Sequence, residues 1–548
     1  MAPSRASASS ATTSRILTRT DRYLLPFLAL LFLLNSLDRS NIGNAESAGF
    51  TKHAGLEPRD INDAVSAFFV AFVALQPVGA ALGKRVGAAR WVGGVMMVWG
   101  LLTTLMAGVK TREGLLTLRA AIGALEAGFY PTTVFYLSLF YTRYEFAQRL
   151  GMFYGQYAVA GAFGGLVSYI VFSIFPSEDT ADSKDGWKGY QVLFVLEGVL
   201  TMLVAGLAFF WLPAGPGSSW WLSPEEAQLA EKRVLSDRAV STTGLEGDEE
   251  SDSDHNDSST TSDIESTSAT AHNRHQLRRP SISSAPLLSQ DAILHHQPPQ
   301  LGSEASLTRR DIYEALTSPL PYIILPLNIL SALPATAFSI FLPILLTALG
   351  VSPLSANLLS IPPFIFGALS LFHFTTLSDR SQKRIRYILI ALGINLTGLV
   401  LLIALPAKGC FLAKYIALCI LLAGSFIASP LTVAWLSNNI PVPGKRAVVL
   451  GINGWGNLAG VVSGWLFMPE YAEEGYKTPF AVTAGAVLLA AVGFAGFRRW
   501  LGCVNERRRR GEDGEEGMGR SWLGRWVKGG EVWRGRRGDE GAGFRYGY

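Results

Sequence analysis

Four ionisable side chains lie in stretches otherwise built of apolar and small residues. Asp38 and Arg39 occur in Asn35-Ser-Leu-Asp-Arg-Ser-Asn-Ile-Gly-Asn44. Arg119 and Glu126 occur in Arg119-Ala-Ala-Ile-Gly-Ala-Leu-Glu-Ala-Gly-Phe-Tyr-Pro131. If these stretches cross a membrane, the four charges are costly and are therefore candidates for function. Seven residues is nearly two helical turns, so Arg119 and Glu126 share one face about 10 Å apart. Gly123 lies between them and leaves room for a neighbouring helix or a ligand. Two acids and two arginines can neutralise one another in an empty cavity. An arriving carboxylate competes for the guanidinium groups, which bind it through a two-point fork. The displaced acid then gains affinity for a proton, and anion and proton binding become coupled. A purely structural set of ion pairs orienting helices is the competing reading.

The elements that must hold these charges follow from hydropathy. The chain has 548 residues, of which 49% are hydrophobic and only 16% charged, fewer charges than the roughly one quarter usual in soluble domains. In the first half apolar runs cover 23–37, 64–82, 91–109, 115–141, 151–175 and 190–212. In the second they cover 322–349, 354–374, 388–405, 411–436, 448–467 and 480–497. Each can cross roughly 30 Å of hydrocarbon as a helix. The expected fold is an all-α membrane protein with about twelve transmembrane helices in two six-helix halves. The expected segments are a cytoplasmic N-terminal piece at 1–21, a first half at 22–213 and a linker at 214–310. A second half at 311–500 and a basic tail at 501–548 complete the chain.

Lys and Arg cluster in alternate connections: Arg15, Arg19 and Arg22; Lys84, Arg85 and Arg90; Arg143 and Arg149; Arg380, Lys383, Arg384 and Arg386; Lys445 and Arg446. The positive-inside rule then places both termini in the cytoplasm. The linker is dense in Ser, Thr, Asp, His and Pro and is expected to be largely disordered. The tail carries Arg507 to Arg510, then Trp522, Trp526 and Trp533. Beside twelve spans this composition suits an anionic membrane surface better than nucleic acid, and no nucleic-acid partner is expected.

Three cysteines, Cys410, Cys419 and Cys503, offer neither a disulfide framework nor metal-ligand spacing. No nucleotide-binding loop, catalytic triad or zinc signature is present, so neither an enzyme nor an ATP-driven pump is indicated, and no metal or cofactor is expected. Glu197 in Leu193-Phe-Val-Leu-Glu-Gly198 reads as a packing or cap residue. His373 reads as a core histidine, and Asn438 and Asn439 as a helix end. Asn453 and Asn457 form a polar face that could bind substrate.

At these residues the chain resembles the anion:cation symporter family of the major facilitator superfamily, in particular the fungal allantoate, nicotinate and pantothenate permease-like branch. The resemblance rests on Leu37-Asp-Arg-Ser-Asn-Ile-Gly-Asn-Ala45, Arg119 to Pro131, Trp221-Leu-Ser-Pro-Glu-Glu226, Ala356 to Pro363, Leu377-Ser-Asp-Arg380 and Trp435-Leu-Ser-Asn-Asn439. It implies a rocker-switch fold and proton-coupled import of a small organic carboxylate, a vitamin or nitrogen-source anion, across the plasma membrane. A vacuolar or other internal membrane is the alternative. By the resemblance, Asp38 and Glu126 carry the coupling proton and Arg39 and Arg119 engage substrate. The family's usual loop after the second helix reads G-x-L-x-D-R-x-G-R-R. Here Ala80-Ala-Leu-Gly-Lys-Arg-Val-Gly-Ala-Ala89 puts Lys84 where an Asp helps lock the gate, so Lys84, Arg85 and Arg90 mark a gating loop with altered ionic contacts. The expected partners are a small organic anion, protons and the lipid bilayer, with the protein a monomer. A non-transporting nutrient sensor and an uncoupled facilitator of a neutral solute are the alternatives.

Overall fold

The computed structural model describes residues 5–175, 186–246, 309–406, 409–440, 442–510 and 546–547, and among these every regular element is a helix. Eleven helices are long and apolar enough to cross a membrane. The first half supplies spans 1 (Leu25–Ser47), 2 (Pro58–Val86), 3 (Ala88–Leu105), 5 (Arg143–Ile174) and 6 (Gly189–Trp211). The second supplies spans 7 (Leu320–Ala348), 8 (Pro353–Ser381), 9 (Arg384–Ala404), 10 (Phe411–Ser425 and Ala428–Asn439), 11 (Pro443–Asn453 and Leu458–Leu466) and 12 (Lys477–Arg510).

The twelfth spanning element is span 4, made of Arg112–Glu126 and Phe129–Ser138. It fails a simple length-and-apolarity criterion because it is interrupted at 127–128 and carries Arg112, Glu113, Arg119 and Glu126. Span 10 is interrupted at the corresponding place, at 426–427, so the fourth helix of each half is built in two pieces.

Local sequence sets the helix ends. Glu57 and Asp60 form a reciprocal capping box at the start of span 2, and Thr142 and Glu145 do so at the start of span 5, each satisfying backbone donors that a helix start leaves free. Spans 2 and 3 are separated by Gly87 alone, whose φ of +101° is costly for any residue with a Cβ.

Burial separates interior spans from peripheral ones. In span 7, 78% of the most apolar window is buried, against 39% in span 12. Large apolar side chains such as Leu203, Leu207, Phe210, Leu369, Leu489 and Val492 are exposed and form the outer surface a bilayer requires. His373, expected in the core, is instead exposed on span 8, against Phe374. Within the halves, span 3 lies on span 6, span 9 on span 12, span 2 on span 4 and span 8 on span 10. Across the halves, span 5 meets span 8, span 2 meets span 11 and span 1 meets span 7.

Close helix crossings depend on missing side chains. Gly123 lies directly under the main chain of Phe68, where a Cβ would collide with the Phe68 carbonyl. Gly79 and Gly128 face each other backbone to backbone in the same span 2–span 4 crossing. Gly123→Ala is therefore expected to force the two helices apart and to cost about 1–3 kcal/mol, read as a lower melting temperature of the purified protein in detergent.

Away from the basic connections the halves are tied together. Asn62 Nδ2 donates to Gly464 O at 2.7 Å and to Phe467 O at 2.8 Å. Asn357 Nδ2 donates to Ser47 Oγ at 2.9 Å.

At its edges the sequence reading needs adjustment. The segment assigned to the linker begins with a helix, Pro224–Glu246, whose start is capped by Ser223 Oγ accepting from Glu226 N at 3.2 Å. Most of the remaining linker lies outside the described residues. Span 12 runs to Arg510, ten residues into the stretch assigned to the tail.

Candidate functional site

Spans 1 and 4 turn their four charges toward one another. Asp38, Arg119 and Glu126 are 1%, 2% and 0% exposed. The pairing is crossed between the helices. Arg39 Nε donates to Glu126 Oε2 at 2.8 Å, while Arg119 Nη1 stands 4.0 Å from Asp38 Oδ1 and donates to the Asp38 backbone carbonyl at 3.3 Å. Thr103 of span 3 donates to Asp38 Oδ2 at 3.1 Å. Each acid of one helix thus faces the arginine of the other, which the linear spacing of Arg119 and Glu126 does not disclose.

The two arginines differ in what remains available. The Arg39 guanidinium lies over the Phe72 ring, 4.5 Å from its centroid, and within 5.7 Å of Phe68, an arrangement that holds its plane by cation–π attraction. Arg119 keeps Nε and Nη2 buried and without a hydrogen-bond partner. These two N–H groups form one edge of the planar fork that matches a carboxylate. Arg119 also lines a small void with Arg39, Ile42, Val65, Phe68, Phe69 and Ile340. Ile340 belongs to span 7, so both halves contribute to that space. Tyr157 of span 5 and Ser339 of span 7 share a hydrogen bond of 2.9 Å across the same interface.

From the sequence Glu197 reads as a packing or cap residue. It is 5% exposed, and neither carboxylate oxygen has a hydrogen-bond partner. The next residue, Gly198, packs its main chain on Gly100 and Thr104 of span 3, the helix that brings Thr103 to Asp38. The signal was present in the sequence as an acid inside an apolar run, but only the tertiary contacts separate it from a cap.

Asn453 and Asn457 do not line the void. The Asn453 carbonyl accepts from Asn328 Nδ2 at 3.1 Å, and its own Oδ1 is buried without a partner. Asn457 donates to Gly454 O at 2.9 Å within its own turn. The gating-loop residues Lys84, Arg85 and Arg90 are exposed. Among the described residues none of them forms an ion pair, and the Lys84 ammonium lies 5.7 Å from the Phe135 ring centroid. Ion pairs on the basic face come from other residues. Arg149 grips Asp21 through two 2.6 Å hydrogen bonds, Arg233 pairs with Glu145 at 2.9 Å, and Arg384 pairs with Asp379 at 3.1 Å.

Two six-helix halves, with a buried charge cluster in the first beside a void that Ile340 of the second also lines, define a multi-pass membrane bundle of the transporter type. The sequence profile of the Major Facilitator Superfamily matches residues 28–290 and 324–538, and the chain belongs to that superfamily. It is 29% identical over 486 residues to the MFS-type transporter efuF of Hormonema carpetanum, covering 88% of this chain and 84% of that one. It is 28% identical over 496 residues to the major facilitator-type transporter hxnP of Emericella nidulans, covering 89% and 86%. In fold it is similar to the xylose transporter XylE of E. coli in a partially occluded inward-open conformation. There the TM-score is 0.57 at 12% identity, with 87% of this chain and 97% of that chain covered. A bacterial homologue of the human lysosomal transporter Spinster gives a TM-score of 0.56 at 14% identity, with coverages of 87% and 97%. The protein is a multi-pass membrane transporter.

Proposed function

We propose that this transporter imports a small organic carboxylate together with a proton by alternating access, and that it belongs to the anion:cation symporter branch. The observation that carries the reading is the Arg119 fork. A guanidinium group 2% exposed, with Nε and Nη2 lacking any acceptor beside a void shared by both halves, is incomplete without an anion. Leaving such charged donors buried and unpaired costs more than about 1–3 kcal/mol, which an anion on the fork offsets.

Charge balance supports the proton half of the proposal. Among the described residues the buried acids Asp38, Glu126 and Glu197 face two arginines, Arg39 and Arg119, so one negative charge lacks a counter-ion, a deficit that a proton can fill. A carboxylate on Arg119 draws that guanidinium away from Asp38, and the freed acid becomes a proton acceptor. Glu126 holds Arg39 on the same helix pair, so both ion pairs respond to one ligand. The distribution of Lys and Arg supports cytoplasmic termini, and import across the plasma membrane is what the resemblance to the symporter family implies.

The test is uptake by purified protein in proteoliposomes, across a panel of labelled monocarboxylates, ureido acids and neutral sugars. A carboxylate should accumulate when the lumen is alkaline, and collapsing the proton gradient should abolish accumulation. Uptake of a neutral solute indifferent to the gradient would favour a facilitator, and absence of transport despite carboxylate binding would favour a sensor.

A further inference from the structure

Far from the charge cluster, the second half grips a piece of main chain. Asn505, near the end of span 12, docks its side-chain amide on both backbone groups of Tyr546. Its Nδ2 donates to Tyr546 O at 2.8 Å, and Tyr546 N donates to its Oδ1 at 2.9 Å. The next residue is held from span 10. Gly547 N donates to Asn439 Oδ1 at 2.7 Å, and Trp435 Nε1 donates to Gly547 O at 2.6 Å. Asn439 Nδ2 in turn donates to Trp435 O at 2.9 Å, which fixes the amide with Oδ1 toward the bound segment. The Tyr546 ring stacks on Trp435 with centroids 6.3 Å apart and planes 22° apart. Trp435 is itself braced edge-on by Phe497 of span 12 at 5.1 Å. Tyr546, Trp435 and Asn439 are 7%, 2% and 5% exposed.

Three side chains thus satisfy every main-chain donor and acceptor of two consecutive residues, and one aromatic wall receives a ring. That is a recognition site for an extended peptide carrying an aromatic residue, built as a sheet edge would build it but from side chains. We propose that the end of the second half beside Asn439 and Asn505 is a peptide-main-chain binding site, occupied by the chain's own Tyr546–Gly547 segment. There the segment acts as a brace between spans 10 and 12. The bracing position matters because Ala428–Asn439 is the part of span 10 beyond its interruption, and it packs on span 5 of the opposite half. A segment bound there is linked through one helix to the interface between the halves.

The chemistry distinguishes main-chain recognition from simple apolar adhesion. A Cβ at Gly547 would meet only Asn439 Oδ1, at 3.8 Å, so Gly547→Ala should dock normally. Methylating the Gly547 amide nitrogen removes a donor and should not be tolerated. Two measurements decide the matter.

The first is hydrogen exchange at single-amide resolution on full-length protein held one copy per nanodisc. The Tyr546 and Gly547 amides should exchange at least about tenfold more slowly than the same amides in protein carrying Asn439→Ala and Asn505→Ala. The second uses protein truncated after Arg545 and a labelled, amidated peptide matching Gly543–Tyr548. The peptide should bind saturably, and its N-methyl-Gly547 form should bind at least about tenfold more weakly.

Equal exchange of these two amides in the unmodified and substituted proteins, in single-copy discs, would overturn occupancy by the chain's own tail. If the free peptide still binds in that case, the occupant is a second copy or another protein. Equal binding of the two peptides would overturn main-chain recognition.

Discussion

Glu126→Gln protein in proteoliposomes should exchange substrate across the membrane but no longer concentrate it. Glutamine keeps the size of the side chain and its hydrogen-bonding carbonyl oxygen while mimicking a permanently protonated acid. Exchange needs substrate to bind and the halves to rock, but needs no proton to leave. Net uptake against a gradient needs the proton to be released inside. For one proton carried with each monoanion, a gradient of one pH unit sustains about tenfold accumulation in the unmodified protein, and the variant should stay near onefold. The buried 2.8 Å ion pair with Arg39 sharpens the contrast with a structural role. Breaking a purely structural buried pair leaves an uncompensated guanidinium and costs about 3–5 kcal/mol of stability, so expression, exchange and accumulation would fall together. Well-expressed Glu126→Gln protein that still accumulates substrate about tenfold would remove Glu126 from the coupling step and leave the anion site standing.

Arg119→Lys should weaken carboxylate binding about tenfold to a hundredfold, and Arg119→Ala by at least as much. Lysine retains the charge but supplies a compact ammonium in place of the Nε–Nη2 edge, so the two-point contact becomes one. A hydrogen bond to a charged group is worth about 1.5–3 kcal/mol, which sets that range. The measurement is the apparent affinity for counterflow of the best carboxylate found in the uptake panel, with a neutral solute as control. The Ala variant also leaves Asp38 without its cation, so poor expression of Ala alone says little, whereas Lys preserves the charge balance. Unchanged affinity in Arg119→Lys would show that the anion binds elsewhere, with Arg39 the next candidate despite its engagement with Glu126 and Phe72.

Sequence alone determined the class of molecule. Twelve apolar runs in succession point to crossing a bilayer, because a soluble fold could not cover them all. It also singled out Asp38, Arg39, Arg119 and Glu126, because a charge in hydrocarbon is expensive wherever its helix ends up. That cost is a property of residue and environment, and needs no knowledge of neighbours. Gly123 was legible for the same reason, since only a missing side chain lets two backbones touch.

Partnership was not legible. Arg39 with Glu126 and Arg119 beside Asp38 join residues 87 and 81 positions apart, and the rotation of two helices about their axes decides such pairs. Glu197 reads from sequence as a packing or cap residue, and only the packing of Gly198 on span 3, with Glu197 buried beside it, decides between the two. Asn439 looked like a helix end and is one, yet its side chain holds Gly547, 108 residues away. His373 shows the reverse case, an apolar run read as core that faces outward, because hydropathy cannot tell a lipid-facing surface from a buried one when both are apolar. Composition and periodicity report what a segment can tolerate, and the tertiary structure alone decides which segments meet.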